Sequence, residues 1–260
     1  MHKEKLSIIK IGGNIVEDEN LLIEFLQLFA GLKGKKILVH GGGKKATQIA
    51  SRLGIESKMI NGRRITDSST LEVITMVYGG LVNKNIVAKL QFLGIDAIGL
   101  TGADINSIES IKRPVKDIDF GFVGDVKNVA NESIKKLIEA DFTPIFCAIT
   151  HDGKGQLLNT NADTIASKIA VSMSKSYEIK IYYCFELNGV LEDFTNKNSV
   201  IKLINKEKYS RLLKQQKITD GMIPKIDNCF DALQNGVHKV YIGNTNMFTK
   251  ESDNFTTLVL

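Results

Sequence analysis

Cysteine is scarce in this chain of 260 residues: Cys147, Cys184 and Cys229 stand far apart, with no CxxC pair. That excludes a disulfide framework and fits a reducing compartment, so a cytoplasmic location is expected. The four histidines (His2, His40, His151 and His238) show no HxxxH spacing, and no protein-bound metal site is expected. No segment approaches the roughly 20 apolar residues that a membrane-spanning helix needs. The apolar stretch at residues 6–11 is too short for the core of a signal peptide. Long runs of one charge are also missing. The net charge is +5, but the lysines and arginines are scattered, and the longest basic runs are pairs such as Lys35-Lys36, Lys44-Lys45 and Lys135-Lys136. Such pairs read as solvated surface, and no nucleic-acid arm or membrane partner is expected. There is no linker, low-complexity tract or clear repeat.

What is present is an ordinary globular composition, 43% apolar and 24% charged. Strand-like and helix-like segments alternate. Residues 6–11, 35–40, 95–100, 143–149, 179–184, 237–242 and 256–260 read as strands. Residues 21–32, 44–53, 132–140, 162–173, 209–216 and 226–235 read as helices, and 68–93 as one long helix. Glycines and alternation over 110–129 suggest hairpins at a sheet edge. The pattern predicts an α/β fold with a mainly parallel sheet covered on both faces. One domain over 1–260 is expected, with two intimate lobes divided near residue 175.

Chemistry concentrates in a few motifs. Lys10-Ile11-Gly12-Gly13 ends the first strand, and His40-Gly41-Gly42-Gly43-Lys44 ends the second and opens a helix. Glycine turns at strand ends let backbone N–H groups approach an anion, and a helix start adds partial positive charge. Tight strand–helix turns are the plainer reading of each alone. The spacing matches neither GxGxxG nor a P-loop. Lys10, at the end of an apolar strand, points to the crevice where α/β sheets bind ligands, or is merely an exposed strand-end lysine. Asn61-Gly62-Arg63-Arg64 precedes Thr66, Asp67 and Ser68, which can cap the long helix; an arginine there can clamp a carboxylate. Asn159 and Asp163 in Asn159-Thr160-Asn161-Ala162-Asp163 share a face if helical, and Asp163 is favourable in a first helical turn whatever its role. Asp220-Gly221-Met222-Ile223-Pro224-Lys225 reads as a turn and helix start.

Together with Gly121-Phe122-Val123-Gly124-Asp125-Val126, these motifs resemble, in order and over residues 6–260, the amino acid kinase family, and within it the branch that phosphorylates N-acetyl-L-glutamate. The resemblance implies a three-layer αβα sandwich and transfer from ATP with Mg²⁺ to the side-chain carboxylate of an N-acylglutamate, a step of arginine biosynthesis. It implies that Lys10 and Lys225 neutralise the transferring phosphoryl group and that Asp163 holds both lysines. It places Gly12, Gly13 and Gly42 at the phosphate, and Gly42, Gly43, Arg64 and Asn159 at the acylglutamate. Glu186, Asn188, Gly189, Lys217, Ile218 and Thr219 would line the nucleotide site. Residues 1–175 would bind the acylglutamate and 176–260 ATP. Helix 68–93 would form a homodimer interface, its plainer reading being a core helix. One segment departs from the family pattern: Phe185-Glu186 stand where Ser/Thr-Asp is usual, although Gly189 is kept. The first strand starts within about six residues, so the extra N-terminal helix of arginine-inhibited members is not expected, nor is inhibition by arginine. The acyl group, acetyl or succinyl, stays open. Carbamate, UMP, aspartate and glutamate 5-kinases of the same family, and a non-catalytic binding module, are the competing readings.

Overall fold

The structure is a computed structural model and describes residues 3–60, 63–193, 195–218, 222–249 and 253–260. Its centre is an eight-stranded sheet. In spatial order the strands are Leu203–Ile204, Thr256–Leu258, Lys239–Gly243, Glu178–Cys184, Lys5–Ile11, Lys35–His40, Thr143–Cys147 and Ala97–Leu100. All neighbours run parallel except Thr256–Leu258 against Lys239–Gly243. Strand Lys5–Ile11 carries Leu6, Ile8, Ile9 and Ile11 fully buried, as a strand covered on both faces requires. Helix Ala162–Met173 packs across Lys5–Ile11 and Glu178–Cys184, with helices Asn131–Glu139 and Ile223–Gln234 beside it. Helices Glu19–Gly31, Gly43–Arg52 and Asn83–Phe92 belong to the other layer. The expected mainly parallel αβα architecture is present.

Register sets up the site. Ile11 lies opposite His40 on one side and Cys184 on the other, and His40 lies opposite Cys147. Four central strands therefore end together, and the chain that follows each one emerges along one rim of the sheet. That rim is where open parallel sheets bind ligands.

Several expectations need correction. Residues 110–129 do lie at a sheet edge, with Gly124–Val129 outermost, but the sheet is not the central one. Strands Ile108–Lys112 and Gly124–Val129 pair antiparallel in a separate four-stranded sheet with Ile149–His151 and Leu157–Asn159. The expected strand 143–149 is two strands, Thr143–Cys147 and Ile149–His151, in different sheets. Asn159 and Asp163 do not share a helix, because Asn159 ends a strand and the helix starts at Ala162, capped by the Asn161 side chain. The long helix is continuous from Ser68 to Phe92 but contains a π-helical stretch, Thr75–Val82. Of the candidate caps, Asp67 accepts from the Thr70 amide at 2.8 Å.

Candidate active site

Three charged side chains meet at the rim. Lys10 Nζ lies 2.8 Å from Asp163 Oδ1, and Lys225 Nζ lies 3.8 Å from Asp163 Oδ2. Each comes from a different element: a strand end, the first turn of helix Ala162–Met173, and the first turn of helix Ile223–Gln234. Pro224 at the start of the last helix presets its backbone for the position that carries Lys225. Burial pushes the Asp163 carboxyl up, but the Lys10 and Lys225 ammonium groups overcome it and hold it below the usual carboxylate value. Asp163 is thus an anion at neutral pH, and the trio carries one net positive charge.

Asp163 and Lys225 line a cavity of about 630 Å³, together with Gly41, Gly43, Arg64, Tyr78 and Asn159; Lys10 reaches it only through its ion pair with Asp163. That is the size range of small-molecule sites. Arg64 is 8% exposed. Its Nη2 donates to the Gly43 carbonyl (2.9 Å) and Thr47 Oγ1 (2.7 Å), which fixes the guanidinium on the first turn of helix Gly43–Arg52. Two of its five N–H groups are used this way, leaving donors for a carboxylate in the cavity. Asn159 Nδ2 donates to the buried Thr66 hydroxyl at 3.0 Å. Gly42 has φ of 154°. A Cβ there would lie 3.0 Å from the Tyr78 ring, so the loop and the ring pack without room for a side chain.

Beneath this loop His40 is fully buried. Its Nδ1 is 2.7 Å from the Gly41 carbonyl, which can only accept, so Nδ1 carries the hydrogen. Its Nε2 then accepts from Asn83 Nδ2 at 3.0 Å, and Asn83 Nδ2 also donates to the Ile145 carbonyl. Burial pushes the imidazole down to about 4. An unfolded chain takes up a proton below about pH 6.5 that folded His40 refuses, so this stability is complete above that pH and is lost as pH falls toward 4. Between pH 7 and pH 5 the loss from this group is about 2 kcal/mol. Urea midpoints at the two pH values check it, and His40→Gln should remove most of the difference.

The residues expected at the nucleotide are less closely gathered. Gly189, Lys217 and Ile218 line a small crevice with Leu187, Val190 and Met222. Gly189 is packed tightly, since a Cβ there would lie 2.6 Å from Thr256 Oγ1. Asn188 Oδ1 accepts from Asn244 Nδ2 at 2.6 Å, Lys217 Nζ lies 2.6 Å from Glu192, and Glu186 is exposed. Asn61, Gly62, Thr219, Asp220 and Gly221 lie outside the described residues. Among the described residues no group of three or more His, Cys, Asp or Glu could hold a metal, and no helix is long and apolar enough to cross a membrane.

Sequence reasoning missed Tyr78 and Phe185. Tyr78 is not singled out by the apolar spacing of the long helix; it lines the cavity from the π-helical stretch and packs against Gly42. Phe185 reads as a departure from a family pattern, yet its ring lies 5.2 Å from Lys225 Nζ.

A model of the amino acid kinase family matches residues 5–244. The acetylglutamate kinase of Phocaeicola vulgatus is 55% identical over 240 residues, covering 92% of this chain and 93% of its own. That of Cytophaga hutchinsonii is also 55% identical, with 92% and 91% covered. Among solved structures, smu.665 from Streptococcus mutans superimposes with a TM-score of 0.75 at 26% identity, covering 98% of each chain.

Proposed function

The chain belongs to the amino acid kinase family, and from that premise we propose that it transfers the γ-phosphoryl group of ATP to the side-chain carboxylate of N-acetyl-L-glutamate. The products are N-acetyl-L-glutamyl 5-phosphate and ADP, in a step of arginine biosynthesis. The observation that carries this reading is Asp163 gripping Lys10 and Lys225, with Asp163 and Lys225 lining a cavity that Arg64 also lines. A side-chain carboxylate has an ordinary pKa of about 4.3 and is already ionised, so it attacks without a general base. What remains for the protein is positioning and charge stabilisation, in the region of highest charge density.

Lys10 and Lys225 neutralise the transferring group, and Asp163 keeps their ammonium groups apart and aimed. Backbone N–H groups of Gly13 and Gly42 bind phosphoryl oxygens; the Gly12 N–H, expected there too, is taken by the Cys184 carbonyl at 2.9 Å, so Gly12 serves only to let the loop pass close to that strand. Gly43, Arg64 and Asn159 hold the acylglutamate. Arg64→Lys keeps the charge but loses the planar fork, and should raise KM for the acylglutamate about 10- to 100-fold with a smaller effect on kcat. A kcat loss with KM unchanged would place Arg64 elsewhere. Glu186, Asn188, Gly189, Lys217, Ile218 and Thr219 border the nucleotide, with residues 1–175 serving the acylglutamate and 176–260 ATP. Mg²⁺ arrives on the nucleotide phosphates, where it supplies charge neutralisation.

The protein works in the cytoplasm as a homodimer through residues 68–93. Exposed apolar side chains in this segment support this: Met76, Leu81 and Phe92 are exposed, Phe92 by 90%. Replacing Leu81 and Phe92 with aspartate should halve the mass seen by light scattering; an unchanged mass counts against this interface.

A second reading has one supporting observation. Arg63 also lines the cavity, as does Arg113, whose Nε and Nη2 are paired with Asp125 while its Nη1 has no partner among the described residues. These are more donors than an α-carboxylate alone requires. An acyl chain with its own carboxylate, as in N-succinyl-L-glutamate, would use them. ADP release measured with N-acetyl-L-glutamate, N-succinyl-L-glutamate, L-glutamate and L-aspartate in parallel separates the readings. Turnover with the free amino acids alone would overturn both, and none with any acceptor would leave a binding module.

A further inference from the structure

We propose that Phe185 is a positioning residue for phosphoryl transfer: the face of its ring holds the Lys225 ammonium beside Asp163. The role rests on the function proposed above and adds a residue to it.

Phe185 follows strand Glu178–Cys184, the direct neighbour of the strand that carries Lys10. Its backbone is pinned on two sides. The Phe185 amide donates to the Gly243 carbonyl at 2.9 Å, and the Gly12 amide donates to the Cys184 carbonyl at 2.9 Å. A Cβ on Gly12 would stand 3.8 Å from both Cα and Cβ of Phe185, so the glycine loop lies directly on this residue. The ring is half-buried against the core edge.

Lys225 Nζ lies 5.2 Å from the ring centroid, within the range of about 6 Å over which an aromatic face attracts a cation. The two lysines differ in how they are held. Lys10 makes a close ion pair with Asp163, at 2.8 Å, whereas Lys225 stands off at 3.8 Å. Lys225 also sits in the first turn of a helix, the positive end of its dipole, which disfavours a cation. The ring supplies a compensating attraction there. Unlike a second carboxylate, it consumes no N–H and adds no negative charge that would repel ATP, so the ammonium keeps its donors for phosphoryl oxygens. A serine or threonine at 185 could not offer such a face.

Packing at the core edge would need only the shape of the ring; the proposed role needs its electrons. Fluorination withdraws them with little change in size. Phenylalanine at 185 is therefore replaced, by nonsense suppression, with its 4-fluoro, 3,5-difluoro and 3,4,5-trifluoro analogues. The expected result is a stepwise fall in kcat, reaching about tenfold for the trifluoro ring, with KM for N-acetyl-L-glutamate unchanged. Independently of turnover, the Lys225 ε-CH₂ resonance, assigned through Lys225→Arg, should show an upfield ring-current shift that Phe185→Leu abolishes. A flat kcat series in an active protein, or no ring-current shift, overturns the role while leaving the proposed function standing. Absence of phosphoryl transfer to any acylglutamate in the parent protein overturns that function and the role built on it.

Discussion

Replacing Lys10 with alanine should lower kcat about a thousandfold, with a folded protein and little change in KM for the acylglutamate. Lys10 is the nearer partner of Asp163, at 2.8 Å, and stands on a buried strand whose position does not depend on its side chain. Removing one preorganised donor from a transition state with developing charge costs about 10²- to 10³-fold, and here a full positive charge goes with it. Lys225 remains 3.8 Å from Asp163, so the buried carboxylate keeps a counter-ion and the fold survives. Circular dichroism and steady-state kinetics on the same preparation make the test. A folded Lys10→Ala protein with parental kcat removes Lys10 from the chemistry.

Asp163→Asn should be nearly as damaging, for a different reason. Asp163 touches no reacting atom in this account. Its carboxylate is a spacer between two ammonium groups. The amide keeps the shape and loses the charge, so Lys10 and Lys225 repel each other and leave their positions. The expected kcat loss is about a hundredfold. Two half-buried ammonium groups without their anion should also cost about 3 kcal/mol of stability, read as a lower urea midpoint. Because the three groups act as a unit, Lys10→Ala/Asp163→Asn should be no slower than Lys10→Ala alone, and more stable than Asp163→Asn alone. Fully additive losses in kcat would show that the two residues act separately.

The parts of this site that were legible in the sequence share a cause. Lys10 follows a run of apolar residues that can only be a buried strand, so its place at a strand end is fixed by pattern. The glycine turns at 12–13 and 41–43 follow two such strands, and parallel pairing puts them side by side. Helix Ala162–Met173 has the expected bounds, and in the structure the Asn161 side chain caps its start. What could not be read depends on contacts distant along the chain. Strands Ile149–His151 and Leu157–Asn159 are three residues each, too short for alternation to show. The spacing of Asn159 and Asp163 therefore does not show that Asn159 ends a strand instead of joining the helix. Tyr78 reaches the cavity through a π-helical stretch that no periodicity announces, and Phe185 meets Lys225 across 40 positions of sequence.

The nature of the product tests the central claim most directly. Protein, ATP, Mg²⁺ and N-acetyl-L-glutamate are incubated with hydroxylamine, which captures acyl phosphates as hydroxamates. The expected product is the γ-hydroxamate of N-acetyl-L-glutamate in one-to-one ratio with ADP, and none from Lys10→Ala. ADP released without hydroxamate would contradict the central claim, because the phosphoryl group would then have gone to something other than a carboxylate.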